Sequence, residues 1–172
     1  MAEGGAANPP GDSAAAPFAM VAVFKPLSLA SGQSKRGGRY QGDVQRVARG
    51  YAALVPGYEP GRRCVFPGTD PLYARIAYFY TYPRDEGDTD NIAKPLLDAL
   101  CGVAYPDDGM IKRCLVDAIF FGDVADLNLS LVYAPQRPAE DLLGVLTGRH
   151  SDVLYVEVGP LTAQRLELGR QP

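Results

Sequence analysis

Asp88-Thr89-Asp90-Asn91-Ile92-Ala93-Lys94-Pro95-Leu96-Leu97-Asp98-Ala99-Leu100-Cys101-Gly102, followed shortly by the pair Asp107-Asp108, decides the reading of this chain. Five aspartates, one asparagine and one lysine fall within 21 residues, with no glutamate among them. Thr89-Asp90-Asn91 is a helix start, because short polar side chains accept the orphan N–H groups of a first turn. Pro95 fits near that first turn. Ile92, Leu96, Leu97 and Leu100 recur at helical spacing and predict a core-facing stripe. Lys94 and Asp98 share the opposite, polar face. Gly102 is placed to end the helix. Lysine stands N-terminal to aspartate here, the weaker order for a stabilising helix pair, so helix stability is a poor explanation of the two charges.

The chemistry follows from where the carboxylates stand. Asp88 and Asp90 sit at the helix entrance, and Asp107-Asp108 arrive from the loop behind its far end. A ten-residue helix is about 15 Å long. The seven residues Gly102 to Asp108 span that distance if extended, at about 3.3 Å each. Three or four converging carboxylates would hold one or two Mg²⁺ ions, since hard cations take oxygen ligands, and Mn²⁺ is a possible substitute. Such a centre suits phosphodiester hydrolysis. Lys94 would stabilise charge on the phosphorus or the leaving group. The same residues also describe a capped helix followed by an Asp-rich turn, and spacing alone leaves both readings open.

The order of residues goes further. Asp88-x-Asp90-Asn91-x-x-Lys94, then Asp98-Ala99-Leu100-x-Gly102, then Asp107-Asp108 resembles the RusA family of Holliday junction resolvases, whose pattern runs Asp-x-Asp-Asn-x-x-Lys, Asp-Ala-Leu-Asn-Gly and Asp-Asp-x-Gln. The resemblance is close over Asp88 to Asp108 and loose over roughly Phe18 to Phe121. It implies a small α/β homodimer that cuts branched double-stranded DNA with Mg²⁺. It assigns catalysis to Asp88, Asp90, Asp108 and Lys94, metal binding to the three aspartates with Asp107, and an assisting role to Asp98. Two positions depart from the pattern. Cys101 stands where the family has asparagine, and Met110 where it has glutamine. Neither change removes a carboxylate. Loss of the amide at 110 bears on positioning of DNA or water.

Net charge is −3, which is unusual for a nucleic-acid protein. The charge is unevenly placed. Lys25 to Arg63 carries eight basic residues against Asp43 and Glu59, a balance of +6, while Asp85 to Asp108 carries seven acids against Lys94, a balance of −6. A basic half for phosphates and an acidic nest for a cation is the expected division of labour. Lys35, Arg36, Arg39, Arg46 and Arg49 are the predicted DNA contacts. The first three are expected in a glycine-containing loop, Lys25 to Gly42, where Tyr40 is available to stack on an unpaired base. Asp43 is expected to cap a helix running to about Val55, with Val44, Val47, Tyr51 and Leu54 facing inward.

The remainder predicts one α/β (α+β) domain, with a mixed sheet of about four or five strands and two main helices. Strands are expected at Phe18–Phe24, Leu72–Tyr82, Ile111–Phe121 and Val153–Val158, with a further candidate at Leu127–Tyr133 and a short helix at Glu140–Leu146. The aromatics of Leu72–Tyr82 read as core packing. Residues 1–17 read as a disordered tail, 18–158 as the nuclease domain with an insertion at 122–150, and 159–172 as a second tail. Cys64, Cys101 and Cys114 are odd in number and predict free thiols, packed as small hydrophobes in a cytoplasmic protein. His150, the single histidine, reads as a surface residue, and Ser-His-Asp or Cys-His catalysis would have to rest on it alone, which argues against that chemistry. Neither a secretory signal nor a membrane span is predicted. Two other functions fit parts of the pattern. One is a junction-binding protein of the same fold with weak or no cleavage. The other is a regulatory partner with an incidental acidic surface.

Overall fold

The computed structural model describes residues 16–26, 34–82, 89–120, 129–148 and 150–161, without the side chains of 34–37 and 89–90. Its elements are β1 (Phe18–Ala22), α1 (Ser34–Ala52), β2 (Leu72–Tyr80), α2 (Thr89–Leu100), a 3-10 turn (Asp108–Met110), β3 (Ile111–Phe120), α3 (Gln136–Thr147) and β4 (Asp152–Pro160). The strands form one mixed sheet in the order β1-β4-β2-β3. β2 and β3 are parallel, while β4 runs antiparallel to both β1 and β2. A parallel pair needs a crossover connection, and α2 supplies it.

Alternation along the strands explains the layers. Met20, Ile76, Tyr78, Leu154 and Val156 point to one face, where Val44 and Ala48 of α1 and Ile92, Leu96 and Leu100 of α2 close the main core. Ala19, Val21, Phe79, Val153 and Tyr155 point to the other, where Leu142 and Leu146 of α3 form a second cluster. Both faces are thus covered around β1 and β4, and their sequences are correspondingly almost unbroken apolar runs. Burying a leucine contributes about 1.5–3 kcal/mol, so Leu142 and Leu146 are the main apolar anchors of α3 on the sheet.

Several elements differ from their sequence expectation. α1 begins at Ser34, not at Asp43, so Lys35, Arg36 and Arg39 lie on a helix and not in a loop. Gly37, Gly38 and Gly42 argue against a helix locally. Tyr40, Val44, Val47, Ala48 and Tyr51, at helical spacing against the core, override them. Tyr40 is half-buried and meets Phe24 edge-to-face, with ring centroids 5.6 Å apart, so it packs in the core rather than awaiting a base. Leu54 is 62% exposed, because α1 ends at Ala52 and the chain turns before it. Residues 129–133 form no strand; Leu129 and Leu131 pack onto the second cluster instead. The short helix expected at Glu140–Leu146 is the longer α3. Cys114 is exposed, unlike the half-buried Cys64 and Cys101, and all three are free.

A Cβ added at Gly42 would meet nothing within 4 Å. Gly42→Ala is therefore expected to raise stability by about 0.5–1 kcal/mol, through helix propensity alone. Urea unfolding checks it, and a destabilised variant would mean that residue 42 is not held in a helix.

Candidate active site

α2 carries the polar face that the sequence predicted. Lys94 Nζ donates to Asp98 Oδ1 at 2.6 Å, one turn along the helix. It also donates to Asp108 Oδ2 at 2.9 Å, fourteen residues on in the chain. Asp98, Lys94 and Asp108 therefore form one cluster that joins the helix to the turn before β3. Asp90 occupies the helix position four before Lys94, a spacing that shares a face. Asp88 and the side chain of Asp90 lie outside the described residues. Among the described residues, no three acidic, histidine or cysteine side chains gather closely enough to hold a metal ion.

The return of the chain is tighter than an extended run. Gly102 takes φ +79°, a conformation that favours glycine, and its N–H donates to the Tyr105 carbonyl at 2.8 Å. The Ala104 N–H closes back on the Leu100 carbonyl at 2.9 Å. Tyr105 is fully buried, and its hydroxyl donates to the Leu97 carbonyl at 2.8 Å. Residues 65 and 66 donate backbone hydrogen bonds to the carbonyls of Val103 and Ala104, so the turn is held on two sides. This anchoring brings Asp108 beside the middle of α2, level with Lys94, and not merely past the helix end.

Asp107 faces a different task. Its Oδ1 accepts from the Gly109 N–H at 2.6 Å and so caps the 3-10 turn. A Cβ at residue 109 would stand 2.8 Å from that oxygen, which is why glycine follows the aspartate pair. Both departures from the RusA pattern have packing reasons. Met110 is buried in the main core, and Cys101 is half-buried against it. Burial raises the Cys101 thiol above its ordinary range, and the negative field of Asp108 adds to that. Pro95 is the seventh residue of α2, beyond the first turn where it was expected. It gives the helix no hydrogen bond there, and the buried stripe Ile92, Leu96, Leu97 and Leu100 holds the helix across it.

Electrostatics keep the cluster charged. Hydrogen bonds to Asp98 and then Asp108 raise Lys94 above the ordinary lysine range. Hydrogen bonding and charge from Lys94 hold Asp108 below the ordinary carboxylate range. Lys94 is 56% exposed and Asp108 40%, so solvent screens the pair and it contributes little to folding.

The basic residues sit on the neighbouring helix. Arg39, Arg46 and Arg49 are exposed on α1, which packs against α2 on the same side of the sheet. Lys35, Arg39, Arg46 and Arg49 fall at positions that make one stripe along α1. Arg46 pairs with Asp43, and Arg49 donates to Gln45 Oε1 at 3.2 Å. Arg36 lies off that stripe. The sequence reading missed a polar group on the opposite face of the sheet. There Glu157 accepts from the hydroxyls of Tyr73 at 2.6 Å and Tyr155 at 2.7 Å, beside an Arg75–Asp117 pair at 3.8 Å and a cavity of about 700 Å³. Alternation along β2 was the available signal, since Tyr73 and Arg75 are both out of phase with the buried Ala74 and Ile76.

No helix among the described residues is long and apolar enough to cross a membrane. No curated protein matches the chain. A family model described as Endodeoxyribonuclease RusA matches residues 67–129, which hold β2, α2, the Asp107-Asp108 turn and β3. Over that segment, which carries the Lys94–Asp98–Asp108 cluster, the chain is similar to the RusA endodeoxyribonuclease family.

Proposed function

We propose that this chain is a Mg²⁺-dependent endonuclease that cuts branched DNA, resolving four-way junctions as a homodimer. The observation that carries the proposal is Lys94, held between Asp98 and Asp108 inside the segment that matches the RusA family. A solvated ion pair adds almost nothing to stability, so a three-way cluster fixed by a buried turn needs another purpose. In this reading residues 18–158 are the nuclease domain, and 122–150 elaborates it.

The donor set suits a hard cation. Asp98 and Asp108 already converge on one positive charge with oxygen atoms alone, and Asp108 is kept ionised. Asp88, Asp90 and Asp108 would hold the ion, with Asp107 at the margin because its Oδ1 is engaged by Gly109. Bound there, Mg²⁺ supplies Lewis acidity for phosphodiester hydrolysis, and Mn²⁺ is its expected substitute. Lys94 brings a permanent positive charge to the phosphate being cut and offsets charge building on its oxygens. Asp98 orients that ammonium from the following turn. Lys35, Arg36, Arg39, Arg46 and Arg49 on α1 would hold the phosphate backbone beside the site.

Incubation of a labelled four-way junction and its linear duplex arms with the protein, with and without Mg²⁺, tests this reading. Paired nicks near the crossover, abolished by chelation and absent from linear duplex, are expected. Binding without cutting would favour a junction-binding protein instead. The basic residues have their own test. Neutralising one true phosphate contact on α1 is expected to lower the slope of log affinity against log salt by about one unit. Unchanged slopes in the single and combined alanine variants would move the DNA surface elsewhere.

A further inference from the structure

α1 and α3 lie on opposite faces of the sheet and meet at its β1 edge. One carboxylate links them. Asp141 Oδ2 of α3 accepts from the Tyr51 hydroxyl of α1 at 2.7 Å and from Arg137 Nε at 3.0 Å. Burial and then the Asp141 bond raise Tyr51 above the ordinary tyrosine range, so its hydroxyl stays a donor. Beside this link runs an open groove. Val47, Gly50, Tyr51 and Leu54 of α1 form its floor, and Arg46 of α1 and Arg137 of α3 line it with charge.

Two of these residues have no explanation in the fold. Arg137 is the second residue of α3. A cation in a first turn opposes the helix dipole, and a basic residue four places before aspartate is the weaker order for a helix pair. Glycine inside a helix costs stability, yet a Cβ at Gly50 would meet nothing within 4 Å. Asp141 holds Arg137 by its Nε, and among the described residues no hydrogen bond occupies the two terminal nitrogens of that guanidinium. Arg46 pairs with Asp43, in an exposed contact that a stronger anion can replace.

We infer that this groove holds the phosphate backbone of a DNA arm, with Arg137 as a phosphate contact beyond those on α1. Continuity argues for that occupant. From Lys35 to Arg49 the basic stripe of α1 is about 21 Å long. Arg46 belongs both to the stripe and to the groove, so the same track continues onto α3. A DNA strand alternates anionic phosphates with apolar sugar faces, which matches arginines above a floor of Val47, Tyr51 and Leu54. Glycine at 50 lets the strand come close to the helix backbone. β1 and β3 are the two edges of the sheet, three strand spacings or about 14 Å apart. Asp108 stands at the start of β3, so the groove grips an arm away from the cut and serves affinity, not chemistry. α1 and α3 both lie outside residues 67–129 and are this chain's own addition to the matched segment. The ligand rests on the nuclease reading, the place on the α1–α3 contact.

Gel-shift titration of the full chain, without Mg²⁺, against four-way junctions with arms shortened in steps tests the inference. Arg137→Ala is expected to weaken binding to long-armed junctions roughly ten-fold and to lower the slope of log affinity against log salt by about one unit. Arg137→Lys keeps the charge and should keep the slope, with part of the affinity lost. Gly50→Leu puts a good helix former into the groove and should weaken the same complexes without lowering the melting temperature. On arms too short to reach the β1 edge, all three variants should bind as the wild type does. A purely structural role for Arg137 would move the melting temperature and be blind to arm length. Equal affinity and slope for wild type and Arg137→Ala on long arms overturn the inference. So does a loss that persists undiminished on the shortest arms. A wild type that binds and cuts while Arg137→Ala matches it removes the groove and leaves the nuclease reading standing. A wild type that binds no junction of any arm length removes both.

Discussion

Asp108→Asn and Asp90→Asn are each expected to lower junction cleavage by on the order of 10²–10³-fold, while leaving DNA binding intact or tighter. Asparagine keeps the size of the side chain but removes a charge from the set that would hold the cation. It also removes repulsion against the phosphate, which is why binding should not suffer. Asp108 is the sharper case, because it reaches Lys94 from a turn fixed by Tyr105 and Gly102. It is also exposed enough that its loss should not unfold the chain. Single-turnover cleavage and gel-shift binding, measured on the same preparations, separate the two effects. Near-normal Mg²⁺-dependent cleavage by either variant would sink the catalytic assignment.

Lys94→Met is expected to lower cleavage by about 10²-fold, with stability changed by about 0.5 kcal/mol or less. The substitution keeps the length of the side chain and removes its charge. Asp98 and Asp108 then face each other without a cation, so the Asp108 carboxyl should rise toward and beyond its ordinary range. The direction of pH dependence follows. A depressed Asp108 contributes stability above the unfolded carboxylate value of 3.8 and loses it as pH falls through its lower folded value. A raised Lys94 contributes below the unfolded lysine value of 10.5 and loses it as pH rises through its higher folded value. Between those limits the wild-type pair stays ionised, and neither residue should put an inflection in the cleavage profile. The variant should gain one on the acid side. Equal cleavage by wild type and Lys94→Met across that range would remove Lys94 from the chemistry.

How much of this was legible in the sequence depended on how local the signal was. α2 was readable because its start, its apolar stripe and its terminating glycine all agree. The approach of Asp108 to α2 was expected, but its route was not. A buried Tyr105 and the backbone bonds from residues 65 and 66 are long-range facts that spacing cannot carry. α1 was cut short because three glycines outweigh one apolar stripe locally, whereas in the fold the core decides. The same override moved Lys35, Arg36 and Arg39 from a loop to a helix and turned Tyr40 inward. The sheet order, with β4 between β1 and β2, leaves no mark in any single segment. The second polar face around Glu157 left only the alternation along β2 as a local trace, since the group itself needs β2 and β4 side by side.

Anomalous diffraction from crystals of the chain soaked in Mn²⁺ tests the central claim most directly. The predicted result is one or two manganese ions beside Lys94. Oxygens of Asp108 and of Asp88 or Asp90 should lie at about 2.1 Å, the distance of a small hard cation from its ligands. An ordered site in which Asp88 and Asp90 turn away from Asp108, with no manganese bound among them, would contradict it.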